Sequence, residues 1–388
     1  MNIVHVVESL DIGGLETVVV ALARWQSQHA DRPRVICLFH EGALAATARA
    51  AGIQVDVVGK SRGFDTGALR RLRSLLGHGD IDVLHTHNAV AHYHATIAAI
   101  GLRVRRLVNT RHGMGQSRSN RRLHTFYRIA LAGTRSAVAV CHAARDEFIR
   151  AGHIPARKCI VIPNGVATNG IAARDDGSKR ALLAQLGRPA DTFVVGIVGR
   201  LSLVKDHATL LDAVTLLRRS GRPVDLVVIG DGETREAIEA RVRELQLQHC
   251  VHMLGMRGDV SRLLPALDAF ALVSLSEGYS LALVEAATAA LPIVATRVGG
   301  NAEIVRDEAN GLLVSPGDAA GIAAALARLA DDESLRLRMG EAGRAWALRH
   351  GLVDAMAMSY RSLYGGAAGG GAAEPTRSHG VAAARVER

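Results

Sequence analysis

Apolar runs alternate with helical patterns along most of this chain, and that rhythm limits what it can fold into. IVHVVES (3–9) reads as a strand, LETVVVALARWQ (15–26) as a helix and PRVICLF (33–39) as a strand. Further strands are expected at IDVLHTH (81–87), RLVNTRH (106–112), SAVAV (136–140) and KCIVIPNG (158–165), each separated by a helical stretch. Strand, helix, strand in this order predicts a parallel sheet wound on both faces. A polar, Gly-containing link follows at 167–180. A second set then begins at FVVGIVGR (193–200), DLVVIGDG (225–232), CVHMLG (250–255), AFALVSLS (269–276), PIVAT (292–296) and GLLVS (311–315). The expectation is an α/β chain of two Rossmann-like, doubly wound domains, 1–170 and 171–350, facing a central cleft. Residues 351–364 are predicted to form one more helix, and the low-complexity 365–388 a disordered tail.

Composition supports two domains and excludes several classes. At 388 residues and 48% hydrophobic, core material suffices for both. No run of 18 apolar residues exists, and no signal-peptide pattern precedes the first strand. Cys37, Cys141, Cys159 and Cys250 have no ligand spacing, so reduced core thiols of a cytoplasmic protein are expected. Residues 1–170 carry 22 Lys/Arg against 11 Asp/Glu, while the rest of the chain is almost neutral. No stacking aromatics interleave with the arginines, which argues against nucleic acid. An anionic membrane surface or a phosphorylated acceptor suits the charge better.

Two stretches carry candidate chemistry. In 274–301, SLSEGYSLALVEAATAALPIVATRVGGN, a strand end and Gly turn lead into an apolar helix with Ser280 at its cap and Pro292 beyond its end. Free N–H groups at that helix start make a seat for phosphate. Glu277 lies on the turn, and Glu285 about one and a half turns into the helix. In GIVGRLSLVKDHATLL (196–211), Arg200 follows Gly199 at a strand end and Lys205 is expected to open the next helix. A guanidinium fork and an ammonium point charge together suit phosphate oxygens.

These two stretches resemble the E-x7-E and G-R-x4-K motifs of the family 4 glycosyltransferases, retaining enzymes of the GT-B fold. The resemblance covers residues 1 to about 364. It implies that Glu277 contacts the donor sugar, Glu285 the ribose hydroxyls, and Arg200 and Lys205 the diphosphate. Gly278, Tyr279, Ser280 and Leu281 would line the donor at the helix start. The Gly-Gly turn of SLDIGGLET (9–17) resembles the family's first loop, which places Gly13 and Gly14 at the diphosphate and acceptor. GDGETR (230–235) would bring Gly230 beside the nucleotide, and Met256 and Arg257 would offer backbone groups to the base. His112 in NTRHGMGQ (109–116) matches the family's His before Gly, where imidazole approaches sugar and diphosphate. One departure is Ala290, where the family usually has Gly. The last helix is expected to cross back onto the first domain.

The implied reaction moves a sugar from a nucleotide diphosphate donor to a glycan or lipid-linked acceptor hydroxyl, in exopolysaccharide or other cell-surface glycan assembly. No cofactor and no metal are expected. His85 and His87 share a strand face and could chelate, but no Cys or carboxylate joins them at zinc-site spacing. Asp80-Ile81-Asp82 precedes its strand, away from the ligand crevice. A GT-B nucleotide-sugar epimerase and a non-catalytic nucleotide-sugar-binding protein are the alternatives. The first lacks extra acid pairs in the first domain, and the second does not explain why Arg200, Lys205, Glu277 and His112 occur together. RSNRRLHTFYRIALA (118–132), with Leu123, Phe126, Tyr127 and 129–131 beside its arginines, is the expected site of peripheral membrane docking.

Overall fold

The computed structural model describes residues 1–61, 63, 65–114, 121–167 and 170–365, with 121–123 described by backbone alone. Arg118 and Gln116, and the tail beyond Gly365, lie outside the described residues. Two parallel sheets form the frame. The first has seven strands: β1 (Asn2–Val7), β2 (Arg32–Cys37), β3 (Gln54–Val57), β4 (Ile81–His87), β5 (Val104–Arg111), β6 (Ser136–Ala139) and β7 (Cys159–Val161), in the order β3-β2-β1-β4-β5-β6-β7. The second has six: β8 (Phe193–Val198), β9 (Val224–Ile229), β10 (Val251–Gly255), β11 (Ala269–Leu272), β12 (Ile293–Thr296) and β13 (Gly311–Val314), in the order β10-β9-β8-β11-β12-β13. The strand order reverses between β1 and β4 and between β8 and β11. In such sheets the crevice outside the strands' C-terminal ends at these points is where ligands bind.

The strand β3 was not expected from the sequence. It is a four-residue edge strand in which buried Val55 alternates with more exposed neighbours, so it lacks the continuous apolar run of a central strand. The predicted link at 167–180 is likewise shorter than expected, because the helix Asp176–Gln185 begins inside it, with Asp175 accepting from Ser178 N at its start.

Alternation along the strands sorts the first domain's core into two layers. Val4, Val6 and Leu84 face the helices Thr66–Leu76 and Asn88–Ala98. Ile3, Val83, Val108 and Val138 face the other way, against Val18, Leu22 and Trp25 of the helix Gly14–Gln28. The last helix, Val353–Gly365, covers that second layer with Met356, Tyr360 and Tyr364, and Trp25 Nε1 donates to Asp354 Oδ1 (2.9 Å).

Ala290 has a physical consequence. After the helix Leu281–Thr288 the chain reverses with Ala290 at φ +58, and the N–H of Leu291 returns to Ala286 O (3.1 Å). That left-handed position after a helix is where glycine is preferred. Ala290→Gly is therefore expected to stabilise the fold by about 0.5–1 kcal/mol, the relief of Cβ strain less the entropy glycine adds to the unfolded chain. Urea denaturation checks this, and an unchanged or lower midpoint would refute the strain.

Candidate active site

The expected site residues all follow strands at the C-terminal edges of the two sheets, where the domains meet. After β11, Glu277 and Gly278 form the turn and Ser280 is the cap residue of the helix Leu281–Thr288. Ser280 occupies the expected place but its side chain makes no capping bond, so the helix start keeps its N–H groups for something else. Across the cleft, Gly13 is the cap residue of the helix Gly14–Gln28, also without a side-chain capping bond. A Cβ on Gly14 would stand 3.7 Å from Leu281 Cδ1. Two helix N-termini thus approach one another, each carrying a partial positive charge, a combination suited to a diphosphate.

Glycine is required where the loops touch. A Cβ on Gly278 would lie 2.6 Å from the His112 carbonyl oxygen, and one on Gly300 would lie 3.0 Å from Cys141 Cβ. Glu303 adds an interdomain bond by accepting from Ala143 N (3.1 Å). In the second domain, Gly230 has φ +140, and a Cβ there would sit 1.9 Å from Gly199 O. The turns after β8 and β9 are therefore backbone against backbone.

The charged groups are arranged differently from the simplest expectation. Lys205 does not open a helix. It ends a single 3-10 turn, Leu203–Lys205, and the helix His207–Arg219 starts after Asp206, which holds φ +49 as its cap. This places Lys205 Nζ 2.5 Å from Glu277 Oε1, an oxygen that also accepts from Ser274 Oγ (2.6 Å). Arg200 stays on the surface, with Nε on Glu233 Oε2 (3.0 Å). In the turn after β10, Arg257 pairs with Asp259 and Met256 is 60% exposed. The Tyr279 ring is 7% exposed and belongs to the buried cluster that holds Cys141 of the first domain and Leu283 of the second. Glu285 is partly buried, which pushes its carboxyl up to about 7.

His112 follows β5, and its N–H donates to Asn88 Oδ1 (3.2 Å). Asn88 itself holds φ +63 after β4. Burial lowers the His112 imidazole to about 3, with the Arg111 charge contributing second, so it is neutral in the free protein. Behind it stand His87, His85 and, unexpectedly, His5. Ligand nitrogens of His5, His85 and His87 come within 4.8 Å of one another. His5 was invisible as a neighbour because it lies on β1, brought beside His85 only by the β1–β4 register. Ser274 was missed for a simpler reason: a lone serine at a strand end carries no signal until its carboxylate partner is placed.

Corrections also apply away from the cleft. The stretch expected to dock on a membrane forms the helix Arg121–Ala130 and a 3-10 turn, but Tyr127 and Leu131 are buried. Tyr127 donates to Asn109 Oδ1 (2.8 Å) inside the domain. Phe126 and Ile129 remain exposed, as does Arg128. Asp82 accepts from Asn2 N and pairs with Arg105 at the start of β4, the far end of the sheet from the cleft. Among the described residues no helix is long and apolar enough to cross a membrane.

Two parallel Rossmann-like sheets, with a glycine-lined cleft holding an ammonium, two carboxylates and paired helix starts, define a GT-B glycosyltransferase. Comparison with known families places the chain within that class. A profile described as Glycosyltransferase Family 4 matches residues 12–169, and one described as Glycosyl transferases group 1 matches 178–346. The chain belongs to the family 4 glycosyltransferases. A relative from Escherichia coli, named as a UDP-Gal:alpha-D-GlcNAc-diphosphoundecaprenol alpha-1,3-galactosyltransferase, is 29% identical over 70% of this chain and 72% of its own length. The putative glycosyltransferase EpsF of Bacillus subtilis is 28% identical over 76% of this chain and 78% of its own. Among solved structures, Anabaena HepE in complex with UDP and glucose superposes with TM-score 0.84 at 23% identity, covering 94% of this chain and 99% of that one.

Proposed function

We propose that this glycosyltransferase moves a sugar, with retention, from a uridine diphosphate donor to a hydroxyl of a glycan or lipid-linked acceptor in bacterial cell-surface polysaccharide assembly. The observations that carry this reading are the Lys205–Glu277 pair and the two uncapped helix starts on the same cleft edges. Residues 171–350 hold the nucleotide sugar and 1–170 the acceptor. Gly13 and Gly14 bring backbone N–H groups to the diphosphate, and the Gly199 and Gly230 turns and the backbone of 256–257 take the nucleoside. Glu285 accepts from the ribose diol, as a carboxylate can do with two oxygens. When the glycosidic bond breaks, charge collects on the departing diphosphate. Lys205, Arg200 turned in from Glu233, and the helix start at 280–281 meet that charge where it develops. These cations occupy the role a metal would otherwise fill. Front-face attack then lets the departing phosphate take the acceptor proton. The uridine choice is supported by HepE's bound UDP and by the relative's name.

Donor hydrolysis with a panel of UDP-, GDP- and dTDP-sugars tests the reading. A UDP-sugar should be cleaved, with the α-anomer released and with the rate unchanged by EDTA. Loss of activity with EDTA, restored by magnesium or manganese, would sink the metal-free scheme. Release of the β-anomer would sink retention. Peripheral docking rests on a reduced surface, Arg128 with exposed Phe126 and Ile129, on a basic half-chain. Co-sedimentation with phosphatidylglycerol vesicles should be salt-sensitive and weakened in Arg128→Glu and Ile129→Glu. Equal binding to neutral vesicles would remove the membrane from this account.

A further inference from the structure

Behind His112 runs a buried line of imidazoles that the transfer chemistry above does not use. His112 Nε2 lies 3.0 Å from His87 Nδ1, His87 Nε2 lies 3.1 Å from His5 Nδ1, and His5 Nε2 lies 2.8 Å from Gln26 Oε1. His5 is 0% exposed, His87 1% and Gln26 2%, so water does not compete for these contacts. A neutral imidazole donates from one nitrogen and accepts on the other. The direction chosen at one end of such a line is therefore imposed on every ring in it.

That direction is set at Gln26. The amide stands with Oε1 towards His5 and with Nε2 buried without a partner among the described residues. In this orientation His5 donates from Nε2 and accepts on Nδ1. His87 must then donate from Nε2 and accept on Nδ1. His112 must donate from Nε2, which leaves Nδ1 as a bare lone pair. That nitrogen is buried and has no partner among the described residues. The residue that carries it borders the second domain, since its carbonyl is what a Cβ on Gly278 would strike. An orphaned acceptor in such a place costs about 1–3 kcal/mol unless a ligand donates to it.

A metal centre is the competing use of His5, His85 and His87, and the hydrogen bonds weigh against it. All six ring nitrogens already have partners, because His85 Nδ1 meets Tyr364 Oη (2.6 Å) and His85 Nε2 meets Thr110 Oγ1 (2.8 Å). Thr110 is joined in turn to Tyr360 (2.9 Å), so the last helix holds the His85 ring beside His87. A cation would have to break this set.

We propose that Gln26, His5 and His87 are positioning residues that hold His112 as its Nε2–H tautomer, so that Nδ1 accepts a hydrogen bond from a hydroxyl of the donor sugar. This rests on His112 belonging to the donor site. It makes the site select for a hydroxyl at that point, because a sugar lacking it would leave the buried nitrogen unpaired. Apolar replacement of Gln26 removes the anchor and lets both tautomers form.

Nitrogen NMR on the full chain labelled with 15N-histidine reads the tautomer directly, with His112 assigned from the spectrum of His112→Gln. The wild-type protein should show His112 protonated at Nε2 and bare at Nδ1. Gln26→Met and His87→Phe should mix the tautomers and lower kcat for donor hydrolysis about 10- to 100-fold with KM little changed. His87→Gln, whose amide can donate to His5 and accept from His112, should recover most of the rate. A His112 protonated at Nδ1 in the wild-type protein, which needs no variant to fold, would overturn the proposal. So would unmixed tautomers in both Gln26→Met and His87→Phe, or zinc shifting the His5, His85 and His87 resonances at one equivalent. If the wild-type tautomer is as expected but His112→Ala turns over donor normally, the donor-site reading of His112 fails and the tautomer assignment stands.

Discussion

Lys205→Ala is expected to lower turnover by about 10²–10³-fold, the usual effect of removing a group that meets developing charge. Arg200→Ala should act in the same direction, with little effect on folding, because its partner Glu233 is itself exposed. Lys205 differs on this point. It holds Glu277, whose side chain is only 11% exposed, at 2.5 Å, with Ser274 on the same oxygen. Removing the ammonium leaves that carboxylate short of a partner, so Lys205→Ala should also cost about 1–3 kcal/mol of stability. Glu277→Gln should reduce turnover as well. Because the two groups act as a pair, Lys205→Ala combined with Glu277→Gln should lose much less than the product of the single losses. Steady-state kinetics of the four proteins in this cycle is the check. Near-normal turnover in both single variants would remove the pair from the mechanism, and strict multiplicativity would show that they act separately.

Acidification is expected to unfold the protein at a pH where most of its carboxylates are still charged. Six histidines are buried among the described residues: His5, His85, His87, His92, His94 and His207. Burial lowers His94 too, and shifts the other five furthest. Burial lowers His5 and His207 to about 4 and His92 to about 3, and lowers His85 and His87 well below the ordinary value. In the unfolded chain they protonate near 6.5. Between 6.5 and about 4 the unfolded state therefore binds more protons, and stability falls as pH falls. Each strongly shifted group contributes about 1.4 kcal/mol per pH unit in that window, so those five remove about 7 kcal/mol by pH 5.5. Glu285, raised to about 7, acts oppositely and returns about 2 kcal/mol over the same range. Total stabilities of such folds are about 5–15 kcal/mol. Thermal melting from pH 7.5 to 5 should show a steep drop below 6.5, and a flat profile would contradict the neutral cluster. His207→Leu sharpens the test. Both His207 ring nitrogens are buried without partners among the described residues, so leucine should flatten the profile by one proton without lowering stability at pH 7.5.

By itself the sequence determined the parts of this protein that depend on local pattern. Buried parallel strands are continuous apolar runs, so twelve of the thirteen were legible, and the half-exposed edge strand β3 was not. The motif residues after β5, β8 and β11 were legible because they match short family motifs whose spacing is local in the chain. Only the tertiary structure decided which groups meet. Lys205 and Glu277 are 72 residues apart and were expected to serve different parts of the donor, yet they share a hydrogen bond in the free protein. Tyr127 and Leu131 carry an amphipathic pattern that fits a membrane face as well as a core, and helix packing turned them inward. The imidazole line was the least legible of all. His5 and His87 are joined across 82 residues, and Gln26 reaches His5 from a helix. Side-chain contacts across parallel strands depend on register and on which helix covers the face, and no local run of residues encodes either.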